Sequence, residues 1–145
     1  MNPNLGVVFP FLAIVMTSCS TLPVPKMVRY QFPEKAYIGI PDKLYDVLGL
    51  VRTKVNFLSL DPTHDDAALC KNYFNKAVID LIKRSKEKKA DAVIDIKSVV
   101  FLMDGRVETY PTPECSDDGQ EGQILAQGLA VKWKPETSPQ PEKAQ

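Results

Sequence analysis

The sequence predicts a small α+β domain: a mostly antiparallel sheet, built on a β-α-β-β core and covered by one amphipathic helix. Three observations predict it. Residues 44–57 are rich in β-branched and apolar side chains, and from Val51 they alternate, Val51, Thr53, Val55 and Phe57 against Arg52, Lys54 and Asn56. Residues 67–88 carry Leu69 or Cys70, Phe74, Ala77, Val78, Leu81, Ile82 and Ser85 at helical spacing. Residues 92–103 and 123–133 are two further runs with a period of two.

Taken in order, residues 1–18 hold an uncharged apolar run, Val7 to Met16, followed by the small residues Thr17 and Ser18 and then Cys19. That run is too short to span a bilayer as a helix, and Pro10 would kink one. A short apolar core followed by small residues is the pattern of a secretory signal peptide. With Cys next, Met16-Thr17-Ser18-Cys19 resembles the lipobox of bacterial lipoproteins. The resemblance implies that Cys19 receives a diacylglyceryl group, that cleavage occurs before it, and that the new amine is acylated, typically with palmitate. Ser20 rather than Asp after the Cys implies sorting to the outer membrane, facing the periplasm. Residues 19–36, with Pro23, Pro25 and Pro33, read as a tether, and residues 37–134 as the folded domain.

Within the domain, Tyr37 to Pro41 reads as a short extended piece and Leu44 to Phe57 as the first long strand, with Gly49 a plausible bulge. Asp61-Pro62-Thr63-His64-Asp65-Asp66 reads as a turn and helix start, Thr63 capping free N–H groups and the aspartates favouring the positive end of the helix dipole. The helix follows to about Lys88. In the next strand, Ala92 to Met103, alternation places Ile94, Ile96, Ser98, Val100 and Leu102 on one face, and Val93, Asp95, Lys97, Val99 and Phe101 on the other. The crossover through the helix reads as a right-handed βαβ unit. Asp104-Gly105 opens a long connection, and Gln123 to Trp133 is the closing strand. Residues 135–145 read as a disordered tail.

All 18 Lys+Arg and all 18 Asp+Glu lie after residue 18, so the mature chain is formally neutral. That weighs against nucleic acid as a partner. Of the three cysteines, lipid would take Cys19, leaving Cys70 and Cys115. A helix of about 20 residues is roughly 30 Å long, and a strand of about nine residues returns over the same length. The chain is therefore back at the helix N-terminal end as the connection holding Cys115 begins, beside Cys70. An exported domain favours a disulfide between them; the alternative is two unpaired thiols.

Three segments resemble the YbjQ-like family, small α+β domains once labelled heavy-metal-binding: Val47-Leu48-Gly49-Leu50-Val51, Ala90-Asp91-Ala92-Val93-Ile94-Asp95-Ile96 and Gly128-Leu129-Ala130-Val131-Lys132. The similarity covers residues 44–134. It implies the fold and a tendency to self-associate, with no ligand set to carry over. Here Lys89 stands before Ala90 where the family has Gly, so the helix must close without a left-handed glycine. The Cys115 connection is extra, and a lipid signal departs from the family's cytosolic rings. RcsF-type envelope lipoproteins share the anchor, the disulfide and the strand-helix-strand order.

His64 with Asp61, Asp65 and Asp66 is the weak candidate for a metal site; acidic residues at a helix start read first as caps. Asp117-Asp118-Gly119 lacks the alternating oxygen ligands of a calcium loop and reads as a turn. With one histidine, no nucleophile elbow and no phosphate-cradling glycine loop, no catalytic constellation or cofactor is expected. Residues 83–89 form a basic run that reads first as a solvated helix end, the alternative being a face for anionic lipid or lipopolysaccharide. Val99, Phe101, Leu129 and Trp133 need cover, from residues 26–40 or from another subunit. The expectation is a non-enzymatic, lipid-anchored, oligomeric subunit that binds other envelope proteins, as in a secretion-system outer-membrane complex. The alternative is a lipoprotein sensing envelope stress or metal.

Overall fold

A computed structural model describes residues 27–58, 66–118 and 121–135. The elements are β1 (Tyr45–Leu58), α1 (Asp66–Glu87), β2 (Ala92–Phe101), β3 (Val107–Tyr110), β4 (Ser116–Asp117) and β5 (Glu121–Trp133). They form a five-stranded sheet in the order β1-β5-β2-β3, with β4 paired to β5, and every pairing between these strands is antiparallel. The α+β fold class is the expected one. The last strand, β5, inserts between β1 and β2 and runs against both. Those two strands are therefore parallel to each other, and the helical crossover spans the position that β5 occupies.

The period-two reading of β1 holds from Val51 onward, with Val51, Thr53, Val55 and Phe57 buried and their neighbours exposed. Between Val47 and Gly49 the register slips, and Gly49 has φ +133°, a conformation that favours glycine. The bulge lets the aperiodic start of the strand and its alternating remainder share one ladder.

Against this strand, α1 lays a stripe of Leu69, Cys70, Phe74, Ala77, Val78, Leu81 and Ser85. Of these, Cys70, Phe74, Ala77, Val78 and Leu81 meet Val51, Val55, Phe57, Val93, Ile96, Ile124, Ala126 and Ala130 in one core cluster. Each fully buried Phe or Leu side chain contributes about 1.5–3 kcal/mol relative to exposure. The buried Thr53 hydroxyl donates to the Ala77 carbonyl at 2.8 Å, which fixes the helix lengthwise on the sheet. At its C-terminal end, the Lys89 N–H reaches the Lys86 carbonyl and the Ala90 N–H reaches the Ser85 carbonyl. Lys89 itself is left-handed at φ 59°, the conformation usually given to glycine.

Strand β2 departs from simple alternation. Asp95 takes a left-handed conformation, φ 51°, and the β2–β5 register shifts between Ile94 and Lys97. The extra residue inverts the phase: Ile96 joins Val93 beneath the helix, while Ile94 lies in a second cluster with Ala92 and Val131. Ile94 and Ile96, expected on one face, are therefore on opposite faces. Aspartate tolerates the conformation better than most residues, and its carboxylate pairs with Lys97 at 3.0 Å.

Of the expected tether, residues 27–36 are described, and they pack on the domain. Asn72 and Asn75 of α1 hold the backbone at Val28 and Tyr30 through three hydrogen bonds. Residues 35–39 then run parallel to the start of β2, donating from Tyr37 N–H to the Val93 carbonyl and accepting from Val93, Asp95 and Ile96. The 104–118 connection is likewise built into the sheet. Its strand β3 extends β2, its strand β4 extends β5, and the buried Ser98 hydroxyl donates to the Thr112 carbonyl. Residues 1–18, Cys19 and residues 136–145 lie outside the described residues.

Candidate interaction surface

The two faces of the sheet end differently. Helix α1 closes one. The other carries Leu50 opposite Leu129, Arg52 opposite Gln127, Lys54 opposite Leu125 and Asn56 opposite Gln123. Leu125 and Leu129 are half-buried, but Leu50 is 47% exposed, Val47 54% exposed and Phe101 59% exposed. Among the described residues no helix lies over this face. Its polar half is self-paired, Arg52 Nε donating to Gln127 Oε1 at 3.0 Å, so the apolar residues near the start of β1 form the unfilled part.

The free edge of β1 adjoins that part. Among the described strands, β1 pairs with β5 alone. Arg84 reaches across from α1 to donate to the Arg52 carbonyl at 3.0 Å, and Lys88 stands beside Gly49. A charged guard of this kind keeps an edge from indiscriminate pairing. The opposite side of the sheet is covered by residues 35–39 and β3.

At the start of β1, residues 37–45 cross the end of the open face and build an aromatic corner. Trp133 meets Tyr37 and Tyr45 edge-on at centroid distances of 6.0 and 6.3 Å, and the Lys43 ammonium lies 5.2 Å from the Trp133 ring centroid. Asp91, in the turn between α1 and β2, locks the corner: one carboxylate oxygen accepts from Lys132 Nζ at 2.8 Å and the other from the Trp133 N–H at 3.0 Å. These bonds, the Lys132 one foremost, hold its pKa below the ordinary value. Next to Tyr37, the residues Phe32, Ala36, Ile38, Ile40 and Pro41 form an apolar hollow of about 390 Å3.

The structure brings Cys70 and Cys115 together as a disulfide, with Cα atoms 5.8 Å apart. Asp66 is exposed in the first turn of α1, whereas Asp61, His64 and Asp65 lie outside the described residues, as does Cys19. Among the described residues no group of three or more His, Cys, Asp and Glu is placed to hold a metal ion. Elsewhere, Asp104 is held below its ordinary pKa by the Arg106 backbone and side chain, and Glu108 raises the pKa of the Tyr110 hydroxyl by accepting a hydrogen bond from it. Both lie on the exposed β2–β3 hairpin. Asp91 and Trp133 carry the corner; the sequence marked Trp133 as needing cover, and its signal for Asp91 is an aspartate between two alanines where a helix gives way to a strand.

No helix among the described residues is long and apolar enough to cross a membrane. No protein-family model matches the chain, and no curated protein matches it. Among solved structures, the chain is similar to the crystal structure of a protein of unknown function from the DUF74 family of Pediococcus pentosaceus, with 13% sequence identity over 68% of this chain and 96% of that one, at a TM-score of 0.49.

Proposed function

We propose that this chain is a non-enzymatic lipoprotein of the outer membrane, acylated at Cys19, whose domain binds other envelope proteins as a structural or accessory subunit of an oligomeric assembly such as a secretion-system outer-membrane complex. One observation carries the reading of the domain: the apolar residues Val47, Leu48 and Leu50 stand exposed along the free edge of β1, beside half-buried Leu129. Clustered apolar exposure next to an unpaired strand suits a partner that adds a strand and covers the sheet. The Cys70–Cys115 bond fits an oxidising compartment, and the apolar run before Cys19 fits export.

The test is native mass measurement of complexes extracted from membranes in mild detergent, for the natural chain and for Leu50→Lys. The expected result is a defined assembly containing several chains, lost or smaller in Leu50→Lys although that variant unfolds at the same denaturant midpoint. A lone monomer in both, or an N-terminus of the mature protein other than acylated residue 19, overturns the reading.

A further inference from the structure

We propose that the hollow formed by Phe32, Tyr37, Ile38 and Ile40 is a docking surface for lipid, the face on which the domain rests against the bilayer that carries its anchor. The inference rests on the acylation of Cys19 proposed above and concerns the hollow beside the aromatic corner rather than the edge of β1. Seven residues, 20–26, separate Cys19 from Met27, where the described chain begins. Fully extended, the eight residue steps from Cys19 to Met27 reach about 28 Å at ~3.5 Å per residue. The 22-residue helix is itself about 33 Å long. An acylated Cys19 therefore holds the side of the domain where residue 27 emerges within less than one helix length of the lipid.

The hollow lies close to that point, since Phe32, which lines it, follows Met27 by five residues. Met27, Val28, Phe32, Tyr37, Ile38 and Ile40 are all exposed, Ile38 at 44% and Ile40 at 62%, within the first 14 described residues. Single exposed apolar residues are ordinary, but a run of this density marks a contact surface. The rim has the chemistry of a headgroup layer. Tyr37 and Trp133 are amphipathic rings, and Lys43 sits over Trp133, where its ammonium can extend toward phosphate. The backbone is suited as well. Residues 35–39 bond to β2 along one side, so the carbonyls of Lys35, Tyr37 and Gly39 would not enter the interface unpaired.

The experiment places an environment-sensitive fluorophore on Ile40→Cys in the full chain as isolated from membranes, with Met103→Cys in the exposed turn between β2 and β3 as the reference. Cys70 and Cys115 are bonded to each other, and peptide mass confirms the labelled position and the state of Cys19. The protein is mixed with vesicles of phosphatidylethanolamine and phosphatidylglycerol carrying a nitroxide lipid. Lipid docking is expected to blue-shift the probe at 40 and quench it several-fold more than the probe at 103. In unlabelled protein, quenching of Trp133, the single tryptophan, checks that labelling has not created the effect. Equal, weak quenching at 40 and 103 in acylated protein overturns the docking face and leaves the anchor standing. A blue shift at 40 without nitroxide quenching overturns it too, because the chain's own tether or a second copy then fills the hollow. If Cys19 carries no lipid, quenching at 40 still supports the face while the anchor falls, and its absence removes both.

Discussion

The helix-covered face of the sheet and the opposite face are built from the same strands but solve different problems. Under α1, β1, β2 and β5 all contribute residues with almost no exposure, among them Val93, Ile96, Ala126 and Ala130, and the buried Thr53 hydroxyl has a partner on the helix. On the other side the chain closes one corner, where Ile94 and Val131 pack with Tyr45, Leu129 and Trp133. It leaves Val47, Leu50 and Phe101 exposed. One face is finished by the chain itself, and the other is finished in part. Stability should therefore be concentrated on the helix side and association on the other.

Truncation tests that asymmetry most strongly. Phe74→Ala or Leu81→Ala, each removing a fully buried side chain of α1, should cost about 3–5 kcal/mol. Leu50→Ala on the open face should stay within about 0.5 kcal/mol. Urea unfolding of the three variants gives the comparison, and a Leu50→Ala cost near that of Leu81→Ala would mean that something within the chain already covers the open face.

The disulfide sharpens the same contrast, because it ties the helix N-terminal end to the connection that borders the sheet. Replacing both Cys70 and Cys115 by Ser should cost about 2–4 kcal/mol, since the bond closes a span of 45 residues in the unfolded chain. Hydrogen exchange should show the loss first around β4 and residues 110–115, with the amides of β5 between β1 and β2 still protected. Uniform loss across β5 would instead give the bond a role in assembling the whole sheet.

Much of this arrangement was legible in the sequence, and the misses share a cause. Alternation from Val51 to Phe57 and the stripe from Cys70 to Ser85 report directly on burial, because each element has one wet side. The disulfide was expected from element lengths taken together with the export signal. Counting by twos failed in β2 because a bulge changes the count, and here the residue that adopts it is Asp95, which carries no glycine signal. Residues 28–39 have no apolar period to read. They dock by backbone hydrogen bonds to Asn72, Asn75 and β2, which composition does not reveal. Strands β3 and β4 are too short, at four and two residues, to show a pattern. The candidate surface was half legible: Leu129 and Trp133 read as needing cover, but that residues 37–45 cover only one corner depends on the crossing path of the chain.

A smaller effect, of opposite sign, comes from the helix end. Lys89 holds a left-handed conformation that costs a residue with a β-carbon about 1 kcal/mol, so Lys89→Gly should stabilise the domain by that order. The bonds from Lys89 and Ala90 to the last helical carbonyls remain, as they use the backbone alone. A raised denaturant midpoint at unchanged slope checks it. A fall would show that the lysine side chain contributes more than its conformation costs.

The smallest effect concerns the corner that divides the finished from the unfinished part of the open face. Asp91 is held below its ordinary pKa by Lys132 and by the Trp133 N–H, so its ionised form is favoured in the folded state. The sign follows by linkage: the contribution is fully present above the unfolded value of 3.8, and is lost as pH falls through the lower folded value. The difference in unfolding free energy between the natural chain and Asp91→Asn should therefore be constant above about pH 5 and shrink as the solution is taken below the unfolded value. Salt should weaken the Lys132 part and spare the Trp133 N–H bond, which an amide oxygen can still accept. Denaturant midpoints of both proteins at neutral and acid pH, at low and high salt, decide it. A difference indifferent to pH would assign the corner to packing of Tyr37, Tyr45 and Trp133 rather than to the charge that pins them.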